Sequence, residues 1–399
     1  MSAVLVVILL PFSSYVAALS FIQSEWGLNN TQAGALFSVY LGGYAVSALL
    51  VIPLTDRLGP KHIFLGSAGL SVVAHALFPL LATGMVSGLV LRAIAGVGLV
   101  GVYMPGLRLV SERFASRGRG MGIGVYVTAY YIANSVSLVA TGGLMAWLDW
   151  KDAYLVISLS AAAGLPLAYA LLHSHRHSSD RRTSGALDLS VLRDRATRYF
   201  MLGYSLHALE LYAVRVWLPV FLTAVLIARG TDSARAVVTG ATIGGLALAV
   251  GSVGPAIGGM ISDRWGRATS AAAVFALSGA CSLAIGWMGD FDFPLIAIVA
   301  LALVYGFSIA ADSAIYTTAI TEVADPTHLG STLAVHSFVG FSGGVVGPIV
   351  IGGILDVSPE SLKWGIGFSF LGVPAIIAVV TLLRLGSARP SPVPPRETA

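Results

Sequence analysis

Five ionisable side chains, Arg92, Arg108, Glu210, Arg215 and Asp312, interrupt otherwise apolar stretches of this chain. A charge near the centre of a bilayer costs at least about 2.5 kcal/mol, so each of them needs an ion pair, a solute or a proton to hold it there. The chemistry they offer is non-covalent: anion binding by guanidinium groups and proton loading by carboxylates. His207 precedes Glu210 by three residues, about 60° from it on one helix face, and is placed to relay a proton to it. Glu210 and Arg215 point about 140° apart and are not expected to pair.

Depth sharpens this picture. At about 1.5 Å per residue, Glu210 lies about 18 Å from Arg198, and Asp312 about 15 Å from Glu322. The two carboxylates thus share a level. Arg92, about 30 Å from Glu112, and Arg215, about 25 Å from Arg198, lie nearer the opposite side, with Arg108 close to the mouth. An outer pair of arginines above a deeper pair of carboxylates suits a small anion moved together with protons. The plain alternative is five charges that neutralise one another as structural ion pairs. Tyr103, Tyr130, Asn134 and Trp217 are the expected remaining pocket residues, although aromatic residues of this kind also serve as packing and interfacial anchors.

The elements that must position these groups are helices. Twelve apolar runs of about bilayer length occupy residues 3–22, 32–54, 62–82, 86–110, 119–143, 150–172, 198–222, 236–261, 269–289, 293–320, 329–355 and 361–385. They lack the alternation of membrane strands, and in lipid the backbone groups must bond within the segment. Of 399 residues, 56% are hydrophobic and only 11% are charged, too few to clothe a soluble globule. The expected fold class is therefore an all-α membrane protein. The first run is taken as a helix and not as a cleaved leader, since it lacks a basic n-region.

Lys and Arg placement orients the chain. With both termini cytoplasmic, the inside loops and tail hold sixteen basic residues, Arg57 and Arg264 among them; the outside loops hold four, Lys151, Arg229, Arg235 and Lys363. The polar stretch at 173–197 divides residues 1–172 from 198–385, two halves of six helices each, and residues 386–399 form a Pro-rich tail. The His cluster in that linker has no carboxylate or Cys to complete a metal set. Cys281 is alone, no P-loop is present, and no nucleophile triad can be assembled. Neither an enzyme, nor a cofactor, nor a nucleic-acid partner is expected.

The halves echo each other. "LTDRLGPK" at 54–61 recurs as "ISDRWGRA" at 261–268, aligning Asp56 with Asp263, Arg57 with Arg264 and Gly59 with Gly266. Glu112 recurs as Glu322, the glycine pair at 142–143 recurs at 352–353, and Asp149 recurs as Asp356. Parallel repeats of this kind place a binding site between the halves near mid-membrane.

Two six-helix halves with a D-R-x-G turn after the second helix of each resemble the major facilitator superfamily of transporters, over nearly the whole chain. Against that family's loop motif, Ile52 stands for the first Gly, Pro60 for an Arg and Ala268 for the final Lys. "LRAIAGVG" at 91–98 resembles its fourth-helix motif through Arg92, Gly96 and Gly98. The resemblance implies two pseudo-symmetric six-helix bundles, with helices one, four, seven and ten lining a cavity. It also implies a basic-side latch made of Asp56, Arg57 and Glu112 in one half and Asp263, Arg264 and Glu322 in the other. The fifth helix lacks the family's antiporter motif, which lowers the weight of proton-driven efflux.

The expected function is a secondary active transporter, monomeric, in a bacterial cytoplasmic membrane. It moves a small organic or inorganic anion with H⁺ loaded on Glu210 (the favoured carrier), Asp312 and His207, and Arg92 and Arg215 contact the anion. A drug or metabolite exporter of the same fold is the alternative, and a transport-dead receptor or assembly factor is a third reading.

Overall fold

The computed structural model describes residues 1–113, 119–173, 189–324 and 329–387. Among them there is no β-strand. Helices α1 (Ser2–Ile8) and α2 (Ser14–Trp26) make the first membrane crossing. Helices α3 (Asn30–Leu58), α4 (Pro60–Leu81), α5 (Met85–Arg113) and α6 (Arg119–Leu144) make the next four, and α7 (Trp150–Ala161) with α8 (Gly164–Leu172) makes the sixth. The second half repeats this order: α9 (Arg195–Ala228), α10 (Ser233–Gly251) with α11 (Gly254–Trp265), α12 (Arg267–Asp290), α13 (Leu295–Ala311) with α14 (Ser313–Val323), α15 (Leu329–Val357), and α16 (Lys363–Phe370) with α17 (Gly372–Ser387). A 3₁₀ turn at Leu189–Arg193 precedes α9; most of the linker and the C-terminal tail lie outside the described residues. Ten segments among the described residues are long and apolar enough to cross a bilayer. The pair α1–α2 and helix α6 complete the twelve runs.

The apolar runs were expected to be continuous, yet five crossings are broken. Four of the breaks fall within about a turn before Pro11, Pro166, Pro255 or Pro374, where the missing N–H removes an i→i−4 bond. The freed backbone groups find partners nearby: Ser13 N–H donates to Ser137 Oγ at 2.8 Å. The fifth break, in the tenth crossing, has no proline. It falls on Asp312, which ends α13 and precedes α14.

Both D-R-x-G turns have the same shape. Gly59 has φ +81° and Gly266 φ +84°, a region that costs a side-chain-bearing residue about 1 kcal/mol or more. Each glycine also closes the preceding helix, with Gly59 N–H donating to Thr55 O and Gly266 N–H to Ser262 O, both at 3.0 Å. The side that carries these turns is the basic side.

Lipid-facing positions such as Leu50, Val86, Leu159, Ile296, Val357 and Ile376 are exposed, while the largest apolar core runs through both halves from Val4 to Leu371. The halves pack α3 against α15 and α6 against α10. Small residues permit the approach: a Cβ at Gly34 would overlap Pro348 O, and one at Gly352 would overlap Asn30 O. At the far end of this seam Asp356 bridges the halves. Its Oδ1 accepts from Asn30 N–H and Nδ2, both at 2.8 Å, and its Oδ2 from Thr31 N–H at 2.8 Å and Thr31 Oγ1 at 2.6 Å. The far side is closed. Toward the basic side the packing loosens: Tyr103, Tyr204 and Ser313 are half-buried and Thr317, one turn beyond Ser313, is exposed.

Candidate functional site

Arg215 stands where the halves meet. It belongs to α9, yet its surroundings come largely from the other half. It is 3% exposed, and its Nη1 donates to Tyr130 Oη at 3.2 Å and, at a longer 3.5 Å, to Asn134 Oδ1. Four rings surround its Cζ: Tyr212 at 5.0 Å, Tyr130 at 5.5 Å, Tyr131 at 5.6 Å and Phe12 at 5.9 Å. The break before Pro11 sets Phe12 in this cage, and Asn134 is held by its Nδ2 donating to Tyr130 O at 2.7 Å. Nε and Nη2 of Arg215 have no protein partner, and no described carboxylate pairs with it. Ring faces offset only about 2 kcal/mol of a desolvated cation, whereas burying an unpaired charge costs several kcal/mol. The group is thus an uncompensated cation at the centre of the protein, and a void of about 10 Å³ beside it leaves it occluded.

Arg92 is also buried, at 1% exposure, but it sits in a separate cage. Its Nε donates to Leu36 O at 3.3 Å, and its Cζ lies over the rings of Tyr40 at 4.5 Å, Tyr15 at 4.9 Å and Phe37 at 5.7 Å. All of these belong to the first half. Phe12, packed edge-on against Phe37 and Tyr40, stands between this cage and that of Arg215. The expected arginine pair facing one anion is therefore not formed.

The carboxylates also separate. Asp312 Oδ1 lies 2.8 Å from His207 Nδ1, close enough for an ion pair although not aligned as a directed hydrogen bond. His207 Nε2 in turn is 3.0 Å from Ser313 Oγ, which is 2.8 Å from Tyr131 Oη. Glu210 faces away from this line, toward α12 and α13, and accepts from Tyr305 at 2.9 Å and Ser278 at 3.0 Å. His207 was expected to relay to Glu210. It contacts Asp312 instead, because the break at Asp312 turns that carboxylate toward α9.

Other expected site residues scatter. Tyr103 lies tilted against Tyr130, with centroids 5.0 Å apart, at the edge of the cage. Trp217 is fully buried and donates to Pro348 O at 3.0 Å, a packing contact between α9 and α15. Arg108 donates to Thr55 Oγ1 at 3.0 Å, near the basic side. In the second latch, Arg267 takes the bridging place expected of Arg264: Nη1 lies 2.6 Å from Asp263 Oδ1, while Nη2 and Nε reach the two Glu322 oxygens at 2.8 and 3.1 Å. Arg264 is exposed and makes none of these contacts. The side chains of Asp56, Arg57 and Glu112 lie outside the described residues.

Sequence reading passed over Phe12, Tyr131, Ser313 and His336. The Tyr130–Tyr131 doublet was the available signal for Tyr131. His336 had none; it is 4% exposed, stacks on Tyr204 at 4.1 Å, and neither ring nitrogen has a protein partner.

Residues 1–348 match the family model described as Major Facilitator Superfamily. A gallate transporter of Pseudomonas putida is 27% identical over 422 aligned positions, covering 94% of this chain and 88% of that protein. A hexuronate transporter of Bacillus subtilis is 23% identical, with coverages of 93% and 90%, and a gentisate transporter of Corynebacterium glutamicum is 24% identical, with 92% and 82%. Among solved structures, a bacterial homologue of the human lysosomal transporter Spinster, inward-facing and occupied, aligns with a TM-score of 0.75 and 14% identity over 98% of this chain and 97% of that one. That degree of identity shows a shared fold alone.

Proposed function

Because the chain belongs to the major facilitator superfamily and is a membrane transporter of small solutes, we propose that it is a proton-coupled carrier of a small organic anion, working by alternating access. The observation that carries this reading is Arg215: a guanidinium buried between the halves, with two nitrogens free and no described carboxylate against it. An anion supplies the missing charge. The ring cage around Arg215 favours a flat or ring-shaped carboxylate, and the gallate, gentisate and hexuronate named for the relatives are ring acids. The proton is carried by the His207–Asp312 pair and not by Glu210, whose hydrogen bonds are turned away from the cage.

The basic side is the cytoplasmic side of a bacterial membrane, by the excess of Lys and Arg there. The closed far side and the looser basic side then describe an inward-leaning, occluded carrier. It acts as a monomer, with residues 1–172 and 198–385 as the two moving bodies, since the solute site already lies between them.

The test uses purified full-length protein with gallate and glucuronate as probes. Arg215→Gln loses the charge-assisted bonds, worth roughly 1.5–3 kcal/mol, and weakens binding at least about tenfold. Arg215→Lys restores it only in part, because an ammonium cannot form a bidentate fork. Unchanged affinity in Arg215→Gln refutes the reading, and ligands confined to cations favour an exporter.

A further inference from the structure

A line of hydrogen-bonding groups runs from the Arg215 cage to His207, which contacts Asp312, and crosses from one half to the other. Tyr131 of α6 faces Arg215 at 5.6 Å and places its hydroxyl 2.8 Å from Ser313 Oγ of α14. Ser313 Oγ is 3.0 Å from His207 Nε2 of α9, and His207 Nδ1 is 2.8 Å from Asp312 Oδ1. Tyr131 is 4% exposed and His207 2%, and Ser313 between them is half-buried. Each hydroxyl owns one proton, and the state of the imidazole at the end decides which way both of them donate.

We propose that this line couples proton to solute: a proton taken up by the His207–Asp312 pair turns the Tyr131 hydroxyl toward Arg215, where it donates to the bound anion. The inference rests on the anion reading of Arg215. With His207 neutral and its proton on Nδ1 toward Asp312, Nε2 is an acceptor. Ser313 then donates to Nε2 and accepts from Tyr131, whose single proton points away from the cage. A second proton, drawn from water on whichever side the site is open to, forms a new N–H bond at Nε2 and makes an imidazolium. Nε2–H now donates to Ser313 Oγ, the Ser313 proton turns to the Tyr131 oxygen, and the Tyr131 proton is released to the oxyanion seated on Arg215. No other bond forms or breaks and no electrons move. One proton accompanies one negative charge, so the load crosses without net charge. By linkage, an anion that accepts from Tyr131 holds the proton on His207 by the same factor.

Other titratable groups face the pair. Glu210 lies on the same helix, engaged by Tyr305 and Ser278. Tyr204 and Tyr316 each lie 5.9 Å from the His207 ring, and His336 stacks on Tyr204. These groups bias the pH at which the proton loads. Ser313 Oγ is the group that meets both the Tyr131 hydroxyl and His207 Nε2, and it passes the state of the imidazole to the cage.

The experiment measures gallate affinity by calorimetry on the full-length protein at about pH 5 and at about pH 8. Wild type binds about tenfold more tightly at the acid end, the worth of one hydrogen bond to a charged group. Tyr131→Phe and Ser313→Ala bind with one weak affinity at every pH. In proteoliposomes exchange in both variants falls with the weaker binding, and a pH gradient no longer drives accumulation of gallate. Tyr131→Phe with the wild-type pH response overturns the coupling line and leaves Arg215 as an anion site. A wild-type protein that binds neither gallate nor glucuronate at any pH overturns the anion reading, and this inference with it.

Discussion

Asp356 is the charge whose removal should most directly open the far side. All four of its hydrogen bonds come from the other half: two from Asn30 and two from Thr31. In Asp356→Asn, one amide oxygen still accepts from Asn30. The amide nitrogen faces the Thr31 N–H, which loses its acceptor, and the Thr31 hydroxyl must turn from donor to acceptor. Asp356 is exposed, so the neutral range of about 0.5–1.5 kcal/mol per bond applies and not the larger figure for buried charge. Losing one bond and weakening the rest comes to about 1–2 kcal/mol. The closed state loses that stabilisation and the outward-open state does not, so the equilibrium moves about five- to thirty-fold toward opening, at 1.36 kcal/mol per tenfold. Ser38 reports this: it is 1% exposed, one turn along α3 from Gly34, where that helix lies against Pro348. In a Cys281→Ser background, a Ser38→Cys thiol should react with a membrane-impermeant reagent about five- to thirty-fold faster when Asp356→Asn is added. Equal labelling rates in the two proteins would refute the claim that these bonds hold the far side shut.

Two further outcomes follow from the same reasoning. Arg267→Gln removes the bidentate contact to Glu322 and the contact to Asp263 together; gallate turnover changes severalfold while affinity changes little, and Arg264→Gln leaves both near wild type, as flux and calorimetry can show. Asp312→Asn abolishes accumulation driven by a pH gradient in proteoliposomes and spares exchange, whereas Glu210→Gln keeps the gradient response; the opposite pattern returns Glu210 to the role of proton carrier.

The twelve crossings and the repeated turn were legible because they rest on local rules. Apolar length sets a crossing, and the positive φ at Gly59 and Gly266 is a demand that only a glycine meets cheaply. The same spacing that exposed the repeat misassigned its bridging cation. Offsets of 207 pair Arg264 with Arg57, yet the side chain that reaches Glu322 begins the next helix, at Arg267, whose counterpart in the first half is Pro60. The two latches cannot be built alike. Placement of the buried charges failed for a related reason. Periodicity along one helix fixed the angle between His207 and Glu210, but it cannot foresee that the tenth crossing breaks at Asp312 with no proline to announce it. Depth counted along single helices put Arg92 and Arg215 on one side; it carried nothing about Phe12, which stands between their cages because Pro11 breaks the first crossing.

The division of the Arg215 site between the halves bears on how the carrier moves. The cation and Tyr212 belong to the second half, while Phe12, Tyr130, Tyr131 and Asn134 belong to the first. When the halves part, on either side, Arg215 leaves most of the rings and both of its hydrogen-bond acceptors behind. Water can solvate it while a vestibule is open. Between the two open states, however, the carrier must pass through an occluded form like this one, in which two of the three guanidinium nitrogens have no partner. An anion riding on Nε and Nη2 removes that cost. A proton on His207 completes its ion pair with Asp312 and leaves Arg215 as it was. With both loads aboard the anion matches Arg215 and Asp312 matches His207, so the occluded form leaves neither of these two cations unmatched. The proposed symport of an anion with a proton draws on that pairing, which follows from placing an uncompensated cation at the seam and the proton site at the end of a line that reaches it.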